Sequence, residues 1–241
     1  MRLSSKHSGT AWLFDPCYHG CKCYHWAMQI TADSTDKAKD QNKRFVVNCK
    51  HSDLNWYYQY EVDFVDVVQN LPHNTTDLVV SNFPSLEIGM ALFQPFLHPQ
   101  LLTFTVDSCW QVVLLSNAFK GKLFDSIRTI QVHNNLMKSS ELEKRMFWIL
   151  PSVEIISVVQ NMFLEVVQSE AFGILHHVKF INLTRNSIKQ IQMGAFGYLP
   201  LLTTLDLSYN SLTTISGEDM IRLSRSSLKR VFGRKLVELF M

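Results

Sequence analysis

Hydrophobic side chains recur along most of this chain with a period of about two dozen residues. The clearest unit is LTTLDLSYNSLTTI, which starts at Leu202. Apolar residues fill its positions 1, 4, 6, 11 and 14 and an asparagine fills position 9: Leu202, Leu205, Leu207, Leu212, Ile215 and Asn210. The same positions one unit earlier hold Val178, Ile181, Leu183, Ile188, Ile191 and Asn186. Looser copies start at Val153, Ile127, Leu101 and Thr75, in steps of 24 to 26 residues. Six such units predict a solenoid, in which each unit is one coil of a stack.

Each coil of the predicted solenoid contains one short strand, because the L-x-L segment alternates inward and outward side chains. Stacked coils pair these strands into a parallel sheet and bury their apolar side chains in a continuous core. The polar position after each strand forms a column of Cys109, Asn135, Asn161, Asn186 and Asn210. An Asn side chain offers a donor and an acceptor to backbone groups that a sharp turn leaves unpaired. We therefore predict a structural ladder, in which Cys109 is a packed, unreactive thiol.

This spacing, L-x-x-L-x-L-x-x-[N/C]-x-L, resembles that of the leucine-rich repeat family from Thr75 to about Leu223. The resemblance implies an α/β fold, with a curved parallel β-sheet on the concave face of the solenoid and short helical or irregular segments on the convex face. It also implies that a ligand binds the concave face, through side chains that point outward from the strands. The candidate ligand-binding residues at these positions are Arg128, Gln131, His133, Glu154, Gln160, Lys179, Arg185, Asp206 and Tyr209. Because arginine and tyrosine most often anchor protein interfaces, Arg128, Arg185 and Tyr209 are the strongest candidates.

Four cysteines precede the repeats and allow two interpretations of the N-terminal segment. The stretch CYHGCKCYH, residues 17–25, offers cysteines and histidines to zinc, but it lacks the two spaced ligand pairs that most zinc sites use. With Cys49 added, the arrangement resembles the cysteine-rich N-terminal cap of extracellular leucine-rich repeat proteins. That resemblance implies disulfides between Cys17 and Cys23 and between Cys21 and Cys49, whereas the sequence alone leaves three connectivities open.

A disulfide cap requires an oxidising compartment, so we predict that the protein is secreted or displayed on the cell surface. Two N-glycosylation sequons agree with this compartment, at Asn74 and Asn182. The second lies on the predicted concave face, where a glycan would compete with a ligand. The apolar run Ala11 to Phe14 is shorter than the roughly 7 to 15 residues of a signal-peptide core, so no signal peptide is visible in this chain.

The sequence divides into an N-terminal extension, a cap, the repeats and an irregular or amphipathic tail, with bounds 1–16, 17–74, 75–225 and 226–241. Within the cap, the polar stretch 31–44 predicts an exposed loop, and the aromatic stretch 56–68 alternates roughly as a strand would. No cysteine follows Cys109, so the second cysteine cluster that commonly closes extracellular members of the family is missing. We predict that the uncapped C-terminal end allows a homodimer.

Charge and motifs narrow the class of function. Lys and Arg total 23 against 21 Asp and Glu, and a net charge of +2 gives no reason to expect a nucleic-acid partner. No window approaches the roughly 18 apolar residues of a membrane-spanning helix. The chain has no Gly-rich phosphate loop, no G-x-S-x-G motif and no H-E-x-x-H motif, so we predict no enzyme activity, no cofactor and no metal site.

The function predicted from these observations is that of a non-catalytic extracellular protein-binding module, either part of a receptor ectodomain or a secreted adhesion or recognition protein. Its partner is then a protein ligand or receptor, bound on the concave face. Two alternatives stay open: a secreted matrix-type structural protein of the same fold, and an intracellular adaptor whose N-terminal cap binds zinc. The zinc-capped adaptor differs from the other two in compartment and in the state of its N-terminal cysteines.

Overall fold

A computed structural model describes residues 21–27, 43–50, 64, 68, 71–89, 101–212, 215, 218, 219, 223, 227 and 230–232. The strands in these residues are β1 (Cys21–Ala27), β2 (Lys43–Lys50), β3 (Asp77–Ser81), β4 (Leu86–Ile88), β5 (Thr103–Asp107), β6 (Val112–Leu114), β7 (Thr129–His133), β8 (Glu141–Leu142), β9 (Phe147–Ile149), β10 (Ile155–Val159), β11 (Val166–Val167), β12 (Phe172–Ile174), β13 (Phe180–Asn182), β14 (Gln190–Ile191), β15 (Phe196–Tyr198), β16 (Thr204–Asp206) and β17 (Arg230–Phe232).

The largest sheet, called the main sheet from here on, has nine strands in the order β1-β2-β3-β5-β7-β10-β13-β16-β17. Strands β1 and β2 are antiparallel, and every later pair is parallel. Each step from one parallel strand to the next is one coil, so the register repeats: Phe104 lies beside Ile130, and Ile130 lies beside Ile156. This arrangement confirms the predicted leucine-rich repeat solenoid.

The other strands occupy the return segments that lead from one main-sheet strand to the next. They form three small parallel sheets, β14-β11-β8, β15-β12-β9 and β4-β6. Between β5 and β16 the return segments contain one 3-10 helix, Lys122–Phe124, so they are extended more often than helical. Several of these strands consist of β-branched and aromatic residues, such as β9 and β11, and such side chains favour extended backbone.

The inward side chains of the main sheet form two buried columns. The first contains Val47, Leu78, Phe104, Ile130, Ile156, Ile181 and Leu205, and the second contains Cys49, Val80, Val106, Val132 and Val158. Every member is at most 1% exposed. Burial of one such apolar side chain contributes roughly 1.5–3 kcal/mol. Because each column continues through successive coils, every coil depends on its neighbours for this burial.

A stack of phenylalanine rings fills the return side of the core. It consists of Phe119, Phe147, Phe172 and Phe196. Successive ring centroids are 5.2, 5.3 and 5.5 Å apart, and the ring planes are within 15° of parallel. The coils approach closely beside this stack, since a Cβ on Gly197 would lie 2.3 Å from the carbonyl oxygen of Gly173. Glycine is therefore required where β12 and β15 meet.

The polar column after the main-sheet strands is a hydrogen-bonded ladder. Asn135 accepts from the backbone N–H of Cys109 at 2.9 Å through Oδ1, and it donates to the carbonyl of Val106 at 3.2 Å through Nδ2. Asn161 Oδ1 accepts from the N–H of Asn135 at 3.2 Å, and Asn186 Oδ1 accepts from the N–H of Asn161 at 2.8 Å. Each of these asparagines therefore ties its own coil to the coil before it.

The two ends of the ladder have related contacts. Asn210 donates to the carbonyl of Leu183 at 2.7 Å and accepts from the N–H of Ile188 at 3.2 Å. At the other end, Cys109 Sγ lies 3.9 Å from the carbonyl of Val80. That carbonyl holds the same place in its coil as the carbonyls that Asn135 and Asn161 bind, so the thiol is a weak substitute for the amide.

A left-handed residue precedes each ladder position and makes the turn sharp. These residues are Ser108, Asn134, Gln160, Arg185 and Tyr209, with φ between 55° and 59°. Each of the first four donates its N–H to a carbonyl of the next coil, at 3.0 or 3.1 Å. A non-glycine residue in this conformation costs roughly 1–2 kcal/mol, which these inter-coil hydrogen bonds offset.

A second set of polar side chains satisfies backbone N–H groups on the return side, and the sequence pattern did not reveal it. The acceptors are Glu143, Gln168, Gln192 and Asp219, which bind the N–H groups of Ser116, Lys144, Ser169 and Gly194 at 2.9 to 3.1 Å. They follow one another at 25, 24 and 27 residues, close to the repeat period, but their residue type varies. Each again links one coil to the previous one.

The N-terminal strands close one end of the main sheet. Cys21 lies opposite Cys49 across the antiparallel pair, and a disulfide joins them. This is the pairing that the family resemblance implies. The proposed bond between Cys17 and Cys23 lies outside the described side chains, because Cys17 is not described and only the backbone of Cys23 is.

Two details of the cap differ from the sequence interpretation. Strand β2 starts at Lys43, inside the stretch 31–44 that we predicted as an exposed loop. Its Arg44 binds both carboxylate oxygens of Asp77 on β3, with Nε–Oδ2 at 2.7 Å, and this pairing draws the end of the stretch into the sheet. In the stretch 56–68, the described residues Phe64 and Val68 are helical and buried, not strand-like.

The C-terminal segment also contributes to the main sheet. Strand β17 lies within the predicted irregular or amphipathic tail 226–241, and it pairs with β16 with Val231 beside Leu205. The backbone register of the coils therefore continues to Phe232. The predicted homodimer through the uncapped C-terminal end is not tested by the described residues and stays a prediction.

The ladder makes a testable contribution to stability. The substitution Asn161→Ala leaves the N–H of Asn135 and the carbonyl of Val132 buried without their partner. We expect the free energy of unfolding to fall by about 3 kcal/mol. Urea unfolding followed by circular dichroism measures this loss, with the exposed Lys138→Ala as the control, expected within about 0.5 kcal/mol of the parent. An equal effect of both variants would contradict a structural role for the ladder.

Candidate binding surface

The main sheet has one face turned away from the core, which we call the outer face. It consists of the side chains that alternate with the buried columns, together with the residues just before and just after each strand. The nine candidate residues lie in three rows of this face. Arg128, Glu154 and Lys179 precede β7, β10 and β13; Gln131, His133 and Asp206 lie on strands; and Gln160, Arg185 and Tyr209 occupy the left-handed turn positions.

The row before the strands is a chain of three charges. Glu154 accepts hydrogen bonds from Arg128 and from Lys179, the latter with Nζ–Oε2 at 2.7 Å. The hydrogen bond from Lys179 is the main cause that lowers the pKa of the Glu154 carboxyl below its ordinary value, the Arg128 bond adds to it, and burial opposes it. The backbone fixes this row, because the N–H of Lys179 donates to the carbonyl of Glu154 at 2.8 Å.

The row after the strands holds one oriented cation. The guanidinium of Arg185 lies over the ring of Tyr209, with Cζ 4.9 Å from the ring centroid. Both residues occupy equivalent left-handed positions in successive coils, so the backbone aims the two side chains in the same direction. Such an arrangement orders the arginine and keeps its N–H groups available to a partner. Gln160, in the same row, shows only its backbone contact to Thr184.

Polar side chains are linked across the strands in the middle of the face. His133 Nε2 and Ser157 Oγ share a hydrogen bond of 2.9 Å. Burial lowers the pKa of His133 below 6.5, and the negative charge of Asp107 partly opposes this. The carboxylate of Asp107 accepts hydrogen bonds from Ser108 and Asn134, at 3.0 and 2.8 Å. A histidine at this distance could act as the base for a nucleophilic serine. Ser157 is only 7% exposed, however, so its hydroxyl is poorly accessible to a substrate.

The remaining predicted positions are separate from these clusters. Gln131 Oε1 accepts a hydrogen bond from the hydroxyl of Thr105 at 3.0 Å. Asp206 Oδ1 accepts from the N–H of Ser208 at 2.9 Å, within its own turn. The structure therefore brings five of the nine candidates together in two groups, leaves Gln131, His133, Gln160 and Asp206 as single positions, and does not gather them into one pocket.

Two apolar residues of the outer face were not among the candidates. Ile155 is 37% exposed, and its register partner Phe180 is half-buried. They adjoin Glu154 and Lys179, so an apolar patch lies beside the charged row. The available signal was an apolar residue at a strand position that follows a charged residue and precedes a buried one.

The two sequon asparagines have different surroundings. Asn74 is exposed in the turn before β3. Asn182 is half-buried on the outer face, and its Oδ1 accepts from the N–H of Thr184 at 3.0 Å. A glycan on Asn74 would therefore leave the middle of the outer face clear, whereas one on Asn182 would cover it.

Cys109 is buried and forms no disulfide. Burial raises the pKa of its thiol to about 11, and backbone hydrogen bonds, including one to Asp107, oppose this only in part. The thiolate, which is the reactive form, is therefore scarce at neutral pH.

Within the described part of the chain, no group of three or more His, Cys, Asp or Glu side chains is arranged to hold a metal ion. A membrane-crossing helix is likewise absent from those residues, since none is both long and apolar enough.

Comparison with known proteins agrees with the fold. A family model described as leucine rich repeat matches residues 151–212 and 176–228, about a third of the chain. A search of curated proteins found no match. The matched stretch includes β10, β13 and β16, which continue the register of the coils before them. Residues 151–228 are therefore similar to the leucine-rich repeat family, and the coils before them share the same solenoid fold.

The half-buried His133 predicts that the stability of the protein depends on pH. Because folding lowers the pKa of His133, its neutral form is favoured in the folded state. The resulting stabilisation is complete above pH 6.5, the ordinary value, and is lost as the pH falls through the lower folded value. Urea unfolding from pH 7.5 to pH 4.5 should show a shallower decline for His133→Gln than for the parent. The exposed His176→Gln is the control, and an identical slope in the parent and His133→Gln would refute this account.

Proposed function

We propose that this protein is a non-catalytic extracellular protein-binding module, part of a receptor ectodomain or a secreted adhesion or recognition protein. Leucine-rich repeat domains generally bind proteins, and their stacked strands offer one extended surface for this. The observation that carries the proposal is the outer face itself. Its exposed residues combine the Arg185–Tyr209 pair, the cations Arg128 and Lys179, and the apolar Ile155.

This combination suits a protein ligand better than a small molecule. Arginine and tyrosine are enriched among the residues that supply most of the binding energy in protein interfaces, and the buried core of such an interface is apolar. Polar contacts within the face, such as His133 with Ser157, hold its middle in one conformation before a ligand arrives. Pre-ordered side chains lose less entropy on binding, which favours affinity.

The extracellular part of the proposal is supported by the disulfide between Cys21 and Cys49 and by the exposed sequon at Asn74. The disulfide joins β1 to β2, which continues the main sheet, so the cap depends on an oxidised state. A ligand on the outer face requires Asn182 to be unmodified in the binding form. Oxidation of Cys21 and Cys49 also removes two of the thiolates that a zinc cap would use.

Cross-linking at defined positions tests the binding function. We expect p-benzoylphenylalanine at Gln131, in the outer face, to cross-link a protein of the cell surface or medium when the full chain is added to live cells and irradiated. The control places the same group at Lys189, which precedes β14 on the return side. Cross-links from Lys189 alone, or from neither position, would exclude the outer face as the binding surface.

The state of the thiols tests the compartment. In protein isolated from its native source and denatured without reductant, we expect an alkylating reagent to modify Cys109 alone, because the proposed cap pairs Cys17 with Cys23 in addition to the disulfide between Cys21 and Cys49. Mass spectrometry then reads one modified cysteine before reduction and five after it. Four further reactive thiols together with one equivalent of zinc would instead establish the intracellular zinc-capped adaptor.

A further inference from the structure

The charges of the outer face are sorted by sign, with cations exposed and carboxylates withdrawn. The exposed cations are Lys50, Arg128, Lys179 and Arg185, and the carboxylates of the same face are Asp77, Asp107, Glu154 and Asp206. We infer that this face binds an acidic, extended segment of a protein partner. The inference rests on the proposed function and adds the chemical class of the ligand.

Each carboxylate of the face is already engaged within the chain. Asp77 is 7% exposed and paired with Arg44. Asp107 accepts from two neighbouring side chains, and Asp206 accepts from a backbone N–H. Glu154, with a side chain 29% exposed, is shared by two cations whose side chains are 61% and 55% exposed. An approaching ligand therefore meets positive charge first, although the whole chain has a net charge of only +2.

The cations are placed to hold carboxylates. Among the described residues, no carboxylate lies within salt-bridge distance of the Arg185 guanidinium, which rests on the ring of Tyr209 instead. An arginine oriented in this way can bind a carboxylate through two parallel hydrogen bonds. Lys179 shares Glu154 with Arg128, so that row keeps one net positive charge for a ligand.

The spacing of these groups describes the ligand. Lys179 and Arg185 are six residues apart along one coil, at most about 20 Å for a rise of roughly 3.3 Å per residue, because Arg185 lies in the turn after β13. An extended segment aligned with β13 would therefore carry carboxylates no more than about six residues apart. The apolar pair Ile155 and Phe180 adjoins Lys179, so the ligand needs an apolar side chain next to its first carboxylate.

A protein segment fits this face better than a nucleic acid. Nucleic acids are held mainly by many phosphate contacts, about 6 to 10 in typical complexes, and the described outer face exposes four cations. A phosphate backbone also has no apolar group that would pack against the apolar patch beside Lys179. An acidic protein segment uses both features.

Peptide selection on the full chain tests the inference. The probe is a phage library of random 12-residue peptides, selected on the immobilised protein. We expect the enriched peptides to be acidic, with carboxylates no more than about six residues apart, and to bind at least about tenfold more weakly to Lys179→Gln and Arg185→Gln. The matched control is Lys189→Gln, because Lys189 is equally exposed and pairs with Glu165 at 2.6 Å as Lys179 pairs with Glu154 at 2.7 Å. Equal unfolding midpoints of all variants ensure that a loss reflects binding.

The other outcomes overturn the inference in different ways. Neutral or basic peptides that bind the outer face, and are lost in Tyr209→Ala, would refute an acidic ligand but keep the proposed function. No enrichment, or enriched peptides that bind every outer-face variant as well as the parent, would refute the inference. The proposed function is tested separately, by cross-linking from Gln131. Tighter binding of a single-stranded oligonucleotide or heparin, lost in the same two variants, would replace the protein ligand with another polyanion.

Discussion

Each coil of this protein must satisfy the backbone N–H and C=O groups that are buried where its main-sheet strand ends, and the asparagine ladder does so. A buried polar group without a partner costs about 1–3 kcal/mol, comparable to the burial of a leucine, so apolar packing alone does not hold such a turn. Asn135, Asn161 and Asn186 each bind one N–H and one C=O on either side of the turn of the preceding coil. The ladder therefore fixes both the turn within a coil and the register between coils. The buried columns, the phenylalanine stack and the position of every outer-face side chain follow from that register.

The same requirement explains how a surface becomes available for function. Inward positions carry the core and turn positions carry the ladder, so fold stability places little demand on the outward positions. Residues such as Arg128 and Tyr209 are fixed in direction by the backbone, but their chemistry is not needed for the fold. His133 is an intermediate case, since it is held by Ser157 and half shielded from water. Side chains of this kind order the surface at some cost in tolerance to acid.

The parts of the structure that the sequence predicts are those with a constant period. Inward apolar residues and ladder asparagines recur every 24 to 26 positions, and the solenoid follows from them. The contacts between Ile155 and Phe180, or between Arg44 and Asp77, involve unlike residues in neighbouring coils and have no period of their own. The return-side acceptors, such as Glu143, escape notice because they differ in residue type and lie between six and nine residues after the asparagine of their coil. The extended return segments were not predicted either, since two or three residues are too few to show a strand pattern.

Bulk charge is a poor guide to what a repeat surface binds. A net charge of +2 argues against a polyanion only if charges are distributed evenly over the surface. In this solenoid a carboxylate on the outer face lies in reach of residues one coil away, and Glu154 and Asp77 are each bound by cations of a neighbouring coil. A lysine or arginine has a longer side chain, so it keeps its charged end in water while its partner carboxylate is covered. Pairing across coils thus leaves the positive partner outermost, and the outer face of a nearly neutral chain becomes cationic.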